Sequence, residues 1–129
     1  GRKCYCGKLG CLDAYCAAGI LSDAAGGSLE QFFEYLDAGD VKMTALWEVY
    51  TSDLAMAVNN IHIILDCDVM LGGYVGSRIG AHIEQVREKA AGRNTFSEDG
   101  GYIRACSGGN RTAAMGAALG IIETFLEKI

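Results

Sequence analysis

The chain has 129 residues, half of them hydrophobic, a net charge of −5 at neutral pH, six cysteines, and eighteen glycines against no proline. This length and apolar content suit one domain with a single core and exclude a disordered segment. The acidic balance, with no basic run beyond Arg2-Lys3, excludes a face of its own for phosphate backbones. No apolar run approaches the about 20 residues that a membrane span needs, and no apolar core of a signal peptide follows the basic start.

The chain opens on Cys4-Tyr5-Cys6-Gly7-Lys8-Leu9-Gly10-Cys11-Leu12-Asp13. Cys4 and Cys6 are too close in sequence for a relaxed disulfide. Convergence of Cys4, Cys6 and Cys11 on one ion satisfies the spacing better, with Gly7 and Gly10 free to take positive φ and fold the third thiol back. Zinc, with Zn–S near about 2.3 Å and four tetrahedral ligands, is the ion such soft sites select. Only three sulfurs are offered, so a fourth ligand must come from elsewhere. The alternative is a reduced cysteine-rich turn without metal. Cys16, Cys67 and Cys106 sit in apolar settings and read as small buried hydrophobes, which fits a reducing, cytoplasmic setting.

Further along, 12–22 reads as a helix with Leu12, Tyr15, Cys16 and Ile20 on one face, stopped at 25–27. Ser28 with Gln31 resembles a capping box opening a helix that turns Leu29, Phe32, Phe33 and Leu36 inward and ends at Gly39. Asp40 caps the longest element, 41–65, whose stripe is Leu46, Val49, Tyr50, Leu54, Ala57, Val58, Ile61 and Leu65. His62 on it reads as a satisfied buried imidazole. Residues 67–71 and 102–106 are strand candidates, each followed by a Gly-Gly pair. A helix from Ser77 to about residue 92 turns Ile79, Ile83 and Val86 inward, with His82 exposed. Residues 94–101 read as a surface loop. The last helix, 111–127, is rich in alanine and glycine, which suits close packing against neighbours.

The alternation of helix and strand after residue 65 predicts a right-handed crossover and a parallel strand pair. Two strands cannot cover both faces of a parallel sheet. The chain therefore reads as a piece of a larger α/β domain whose other strands lie upstream. It divides into a metal loop (1–13), a helical segment (14–65) and a strand–helix–strand–helix unit (66–129).

Cys-x-Cys-Gly-x-x-Gly-Cys followed by an apolar residue and a carboxylate resembles the zinc signature of the ROK family, which groups repressors, open reading frames and sugar kinases. The resemblance runs end to end and is greatest to transcriptional repressors of the NagC/XylR type. It implies an α/β fold, the C-terminal portion of an actin-like, hexokinase-like (ribonuclease H-like) lobe, mostly helical with two short parallel strands. It also implies a histidine upstream of Cys4 as the fourth zinc ligand, a homodimer, and DNA contact only through a separate N-terminal domain. Asp13 stands where the family usually has a glutamate that hydrogen-bonds a sugar hydroxyl. Carboxylates suit that task because they accept paired charge-assisted bonds. The other reading of Asp13 is a negative charge favourable to a helix start.

Gly72 and Gly73 lie in a strand-to-helix turn of the kind that presents free N–H groups to phosphate. The family's kinases use a similar turn near the adenosine of ATP, although Tyr74 stands where they often carry another glycine. Gly108-Gly109-Asn110 reads as a plain helix start. His62 and His82 have no companion at acid–base spacing, and no catalytic constellation is visible. Three functions follow: a sensor of a sugar or sugar phosphate in a repressor, the C-terminal half of an ATP-dependent sugar kinase, and a free-standing zinc-stabilised interaction module. Asp13 in place of glutamate and Tyr74 after the glycines favour the sensor.

Overall fold

A computed structural model describes residues 1–94, 99–106, 108 and 111–128. After the cysteine loop come α1 (Asp13–Cys16), α2 (Ala18–Ala24), α3 (Leu29–Asp37) and α4 (Val41–Leu65). Then follow β1 (Val69–Leu71), α5 (Gly73–Ile79), a 3-10 turn (Gly80–His82), α6 (Ile83–Ala91), β2 (Ile103–Ala105) and α7 (Thr112–Leu126). The fold is mostly helical with two parallel strands in one sheet. β1 and β2 pair in the register Val69 to Ile103, Met70 to Arg104 and Leu71 to Ala105.

Local chemistry sets the helix ends. Ser28 Oγ accepts from the Gln31 N–H at 3.2 Å, and Asp40 Oδ1 accepts from the Lys42 and Met43 N–H groups at 2.9 and 3.0 Å. Each side chain satisfies donors that the first helical turn leaves unpaired. Gly39, at φ +80°, reverses the chain between the two helices in a conformation that costs other residues dearly.

The core is aromatic and lies where α3, α4 and α6 meet. Phe33 meets Phe32 edge-on at 5.4 Å and Trp47 at 5.4 Å, and Trp47 stacks on Tyr50 at 5.7 Å. Leu21, Ile79, Val86 and Ile103 are fully buried around this group. The Trp47 indole N–H donates to Gln85 Oε1 at 2.8 Å, and the Lys89 ammonium reaches Glu48 Oε2 and Thr51 Oγ1, both at 2.6 Å. α4 and α6 are thus joined by apolar contact and by a polar seam along its edge.

Several expectations are corrected. The predicted 12–22 helix is two helices, broken at Ala17, whose ψ is 142°. The Cys16 carbonyl accepts instead from the Tyr50 hydroxyl at 2.7 Å, a tertiary bond that replaces a rung of the helical ladder. On α4 the buried positions are Trp47, Tyr50, Thr51, Ala55, Val58 and Asn59, while Val49 and Leu65 face solvent. The real face is turned toward Trp47 because α6 packs there. α5 starts at Gly73, ahead of Ser77. Gly76 must be glycine, since a Cβ there would sit 2.8 Å from the Leu71 carbonyl oxygen.

His82 is half-buried, with its ring 5.2 Å from Trp47 and 6.0 Å from Phe33. His62 is satisfied through Nδ1 at 2.8 Å from the Cys67 carbonyl, and stacks on Tyr102 at 3.7 Å, but is only half-buried. α7 carries Ile121, Ile122, Phe125 and Leu126 more than half exposed, so the close packing expected of it is not made among the described residues. Gly109, Asn110 and part of the 94–101 loop lie outside the described residues. Among the described residues, no helix is long and apolar enough to cross a membrane.

Candidate metal centre and adjoining cleft

The first eleven residues form a closed turn. Lys3 and Leu9 pair as an antiparallel bridge, the Cys4 N–H donates to the Lys8 carbonyl at 2.8 Å, and the Gly7 N–H returns to the Cys4 carbonyl at 3.0 Å. Gly7 and Gly10 both have positive φ, +85° and +77°, as the turn requires. The outcome is that the Sγ atoms of Cys4, Cys6 and Cys11 all lie within 4.8 Å of one another. Cys6 and Cys11 are 3.6 Å apart. Tetrahedral zinc with Zn–S bonds near 2.3 Å holds its sulfurs about 3.8 Å apart, so the trio fits three corners of such a site.

The thiols differ in acidity. Cys6 lies below the usual thiol range, first because the Lys8 backbone N–H favours its thiolate and then through hydrogen bonds with Cys4 and Cys11. Cys11, hydrogen-bonded to Cys6 and partly desolvated, is pushed up to about 11. Of Cys6 and Cys11, Cys6 is therefore the more readily ionised. A coordinated cation overrides that order, because it deprotonates its thiol ligands outright. Among the described residues, no fourth His, Cys, Asp or Glu atom joins the three sulfurs.

The loop is fastened to the helices behind it. The Arg2 guanidinium pairs with Asp53 of α4 at 2.9 Å and lies over the Tyr15 ring at 4.5 Å, while the Arg2 N–H donates to the Tyr15 hydroxyl at 2.8 Å. Of the other cysteines, Cys67 is exposed, and Cys16 and Cys106 are half-buried; the buried apolar role expected for all three is therefore corrected. They lie near chain turns and helix ends, where the core does not enclose them.

Asp13 opens α1 and also borders a cleft of about 350 Å³, together with Cys16, Tyr50, Leu71, Gly72 and Tyr74. Two predicted site residues far apart in sequence, Asp13 and Gly72, thus share one hollow. Gly73 does not line it; at φ +72° it begins α5 and makes the turn. Tyr74 is 69 % exposed and stands at the cleft's rim beside the glycine turn. Burial pushes Cys16 up to about 11 and raises Tyr50 well above the usual phenol range, so both stay neutral in the cleft wall.

The thiol turn is thus followed two residues on by the Asp13 carboxylate, and that carboxylate borders the cleft. The ROK family profile matches residues 1–123. The chain belongs to the ROK family. No curated protein and no solved structure shows a match. Within this ROK chain, sequence reasoning missed Tyr5, whose hydroxyl donates to Asp13 Oδ2 at 3.3 Å, and Tyr50, which closes the cleft. The placement of Tyr5 between two cysteines was the available signal for the first. Nothing in the sequence marked the second, since its role depends on the break at Ala17.

Proposed function

We propose that this ROK chain is the sugar-sensing, effector-binding part of a transcriptional repressor of the NagC/XylR type. It works in the cytoplasm as a homodimer, and any DNA contact is made by a separate N-terminal domain. Zinc is held by Cys4, Cys6 and Cys11 with a fourth ligand from outside these residues, and stiffens the loop next to the sugar-binding carboxylate. The observation that carries the reading is the cleft. A single carboxylate, Asp13, borders a hollow of about 350 Å³ otherwise walled mainly by apolar and small residues. Such a volume suits a small ligand oriented by a few polar groups. Asp13 accepts sugar hydroxyls, and occupancy of the cleft shifts the repressor between two states.

The second reading is the C-terminal half of an ATP-dependent ROK sugar kinase, of the glucokinase or fructokinase kind. It draws on Gly72 in the same cleft, where Gly72 and Gly73 would let a nucleotide approach closely. Tyr74 favours the sensor, because a bulky, exposed side chain stands beside the glycine turn where the family's kinases often carry another glycine. A coupled ATPase assay of the full-length protein against a hexose panel, with calorimetry on the same sugars, separates the two. The expected result is binding of at least one hexose or hexose phosphate with no ATP turnover. Turnover with any hexose overturns the sensor.

A further inference from the structure

Tyr5 lies between two of the three thiols in sequence and reaches the carboxylate in the cleft. Its hydroxyl donates to Asp13 Oδ2 at 3.3 Å, and its ring is 90 % exposed. Packing therefore does not hold the ring in place. What holds it is the backbone of the thiol turn on one side and the hydrogen bond on the other. That backbone is closed by the bonds from Cys4 to Lys8 and from Gly7 to Cys4, and the Cys4 side chain is buried. Asp13 itself is only two residues beyond Cys11, at the start of α1, so the Tyr5–Asp13 link joins the turn that bears the thiols to the helix directly after it.

We propose that Tyr5 is a positioning residue that carries metal occupancy of the Cys4, Cys6 and Cys11 turn to the Asp13 carboxylate in the cleft. When the sulfurs are drawn to one ion, the segment bearing Tyr5 loses its freedom. The phenol then fixes one carboxylate oxygen and leaves the other for the ligand. Ordering done in advance by the metal is ordering the ligand need not supply. With the turn empty, an exposed hydrogen bond competes with water and restrains little. The identity of the ligand rests on the sugar-binding reading above; the link between Tyr5 and Asp13 does not.

The experiment uses the full chain with carbon-labelled tyrosine rings, zinc-loaded and chelator-stripped, as wild type, Tyr5→Phe and Asp13→Ala. The Tyr5 ring signal, assigned by its change in Tyr5→Phe, is expected to move both on Asp13→Ala and on zinc removal. Calorimetry with D-glucose and glucose 6-phosphate is expected to show zinc removal weakening wild-type binding about fivefold, the scale of one lost hydrogen bond. In Tyr5→Phe that metal dependence is expected to vanish, while zinc content and unfolding midpoint stay at wild-type values. A Tyr5 signal indifferent to Asp13→Ala, or a sugar affinity equally zinc-dependent in Tyr5→Phe, overturns the proposal. If neither sugar binds in either metal state while the Tyr5 signal still follows zinc and Asp13, the sugar reading fails and the Tyr5 link stands.

Discussion

The aromatic core and the thiol loop are ordered by opposite means. Around Trp47, Phe32 and Phe33 are fully or nearly fully buried, and shape follows from apolar area withdrawn from water. In the loop, Tyr5 and Leu9 are mostly exposed, and shape follows from two positive-φ glycines and three backbone hydrogen bonds, from Cys4 to Lys8, Gly7 to Cys4 and Gly10 to Arg2. The Cys4 side chain is the loop's one buried apolar contribution. The lesson is that the core keeps its geometry by packing, whereas the loop depends on backbone hydrogen bonds and on the fastening of Arg2 to Asp53 and Tyr15. The three thiols sit on the region with the less buried of the two frameworks.

The comparison is sharpened most by Phe33→Ala. Removing a buried ring that contacts both Phe32 and Trp47 is expected to cost about 3–5 kcal/mol in urea unfolding, with the affinity of the folded protein for zinc unchanged. A parallel loss of zinc affinity in the folded fraction would break the claim that the regions are independent. Cysteine reactivity comes next. In the zinc-free protein at pH 8, peptide mapping after brief iodoacetamide treatment should find Cys6 modified well ahead of Cys11 and Cys16.

With its thiol raised to about 11, Cys16 is about one part in a thousand thiolate at that pH, so its rate should climb about tenfold per pH unit until near 11. Zinc should protect Cys6 and leave Cys16 unaffected. The smallest effect is expected from Gly10→Ala. No atom stands in the way of the added methyl group, so the cost is left-handed backbone strain of about 1 kcal/mol. It should appear as roughly fivefold weaker zinc binding, read by chelator competition, with no change in the unfolding midpoint.

Much of this was legible in the sequence where one residue decides one local event. Ser28 and Asp40 marked their helix starts, Gly39 the turn between them, and Gly7 and Gly10 the fold of the thiol turn. The parallel pairing followed from the order of strands and helices alone. What was not legible depended on contacts between distant segments. Ala17 carries no breaker, yet the helix stops there because Tyr50 captures the Cys16 carbonyl. The inward face of α4 could not be fixed from its own periodicity, since apolar residues lie all around it and α6 decides which ones are covered. In the site, the thiol trio was readable from spacing, but the meeting of Asp13 with Gly72 required the fold.

The cleft between those two residues is a seam. One lip belongs to residues 13–18, the other to 71–76, and Tyr50 and Leu54 of α4 lie between them. A molecule seated there stitches together three stretches of chain that otherwise communicate through the interior. Whatever fills it therefore also acts as a brace, and binding and folding of this part of the protein draw on the same contacts.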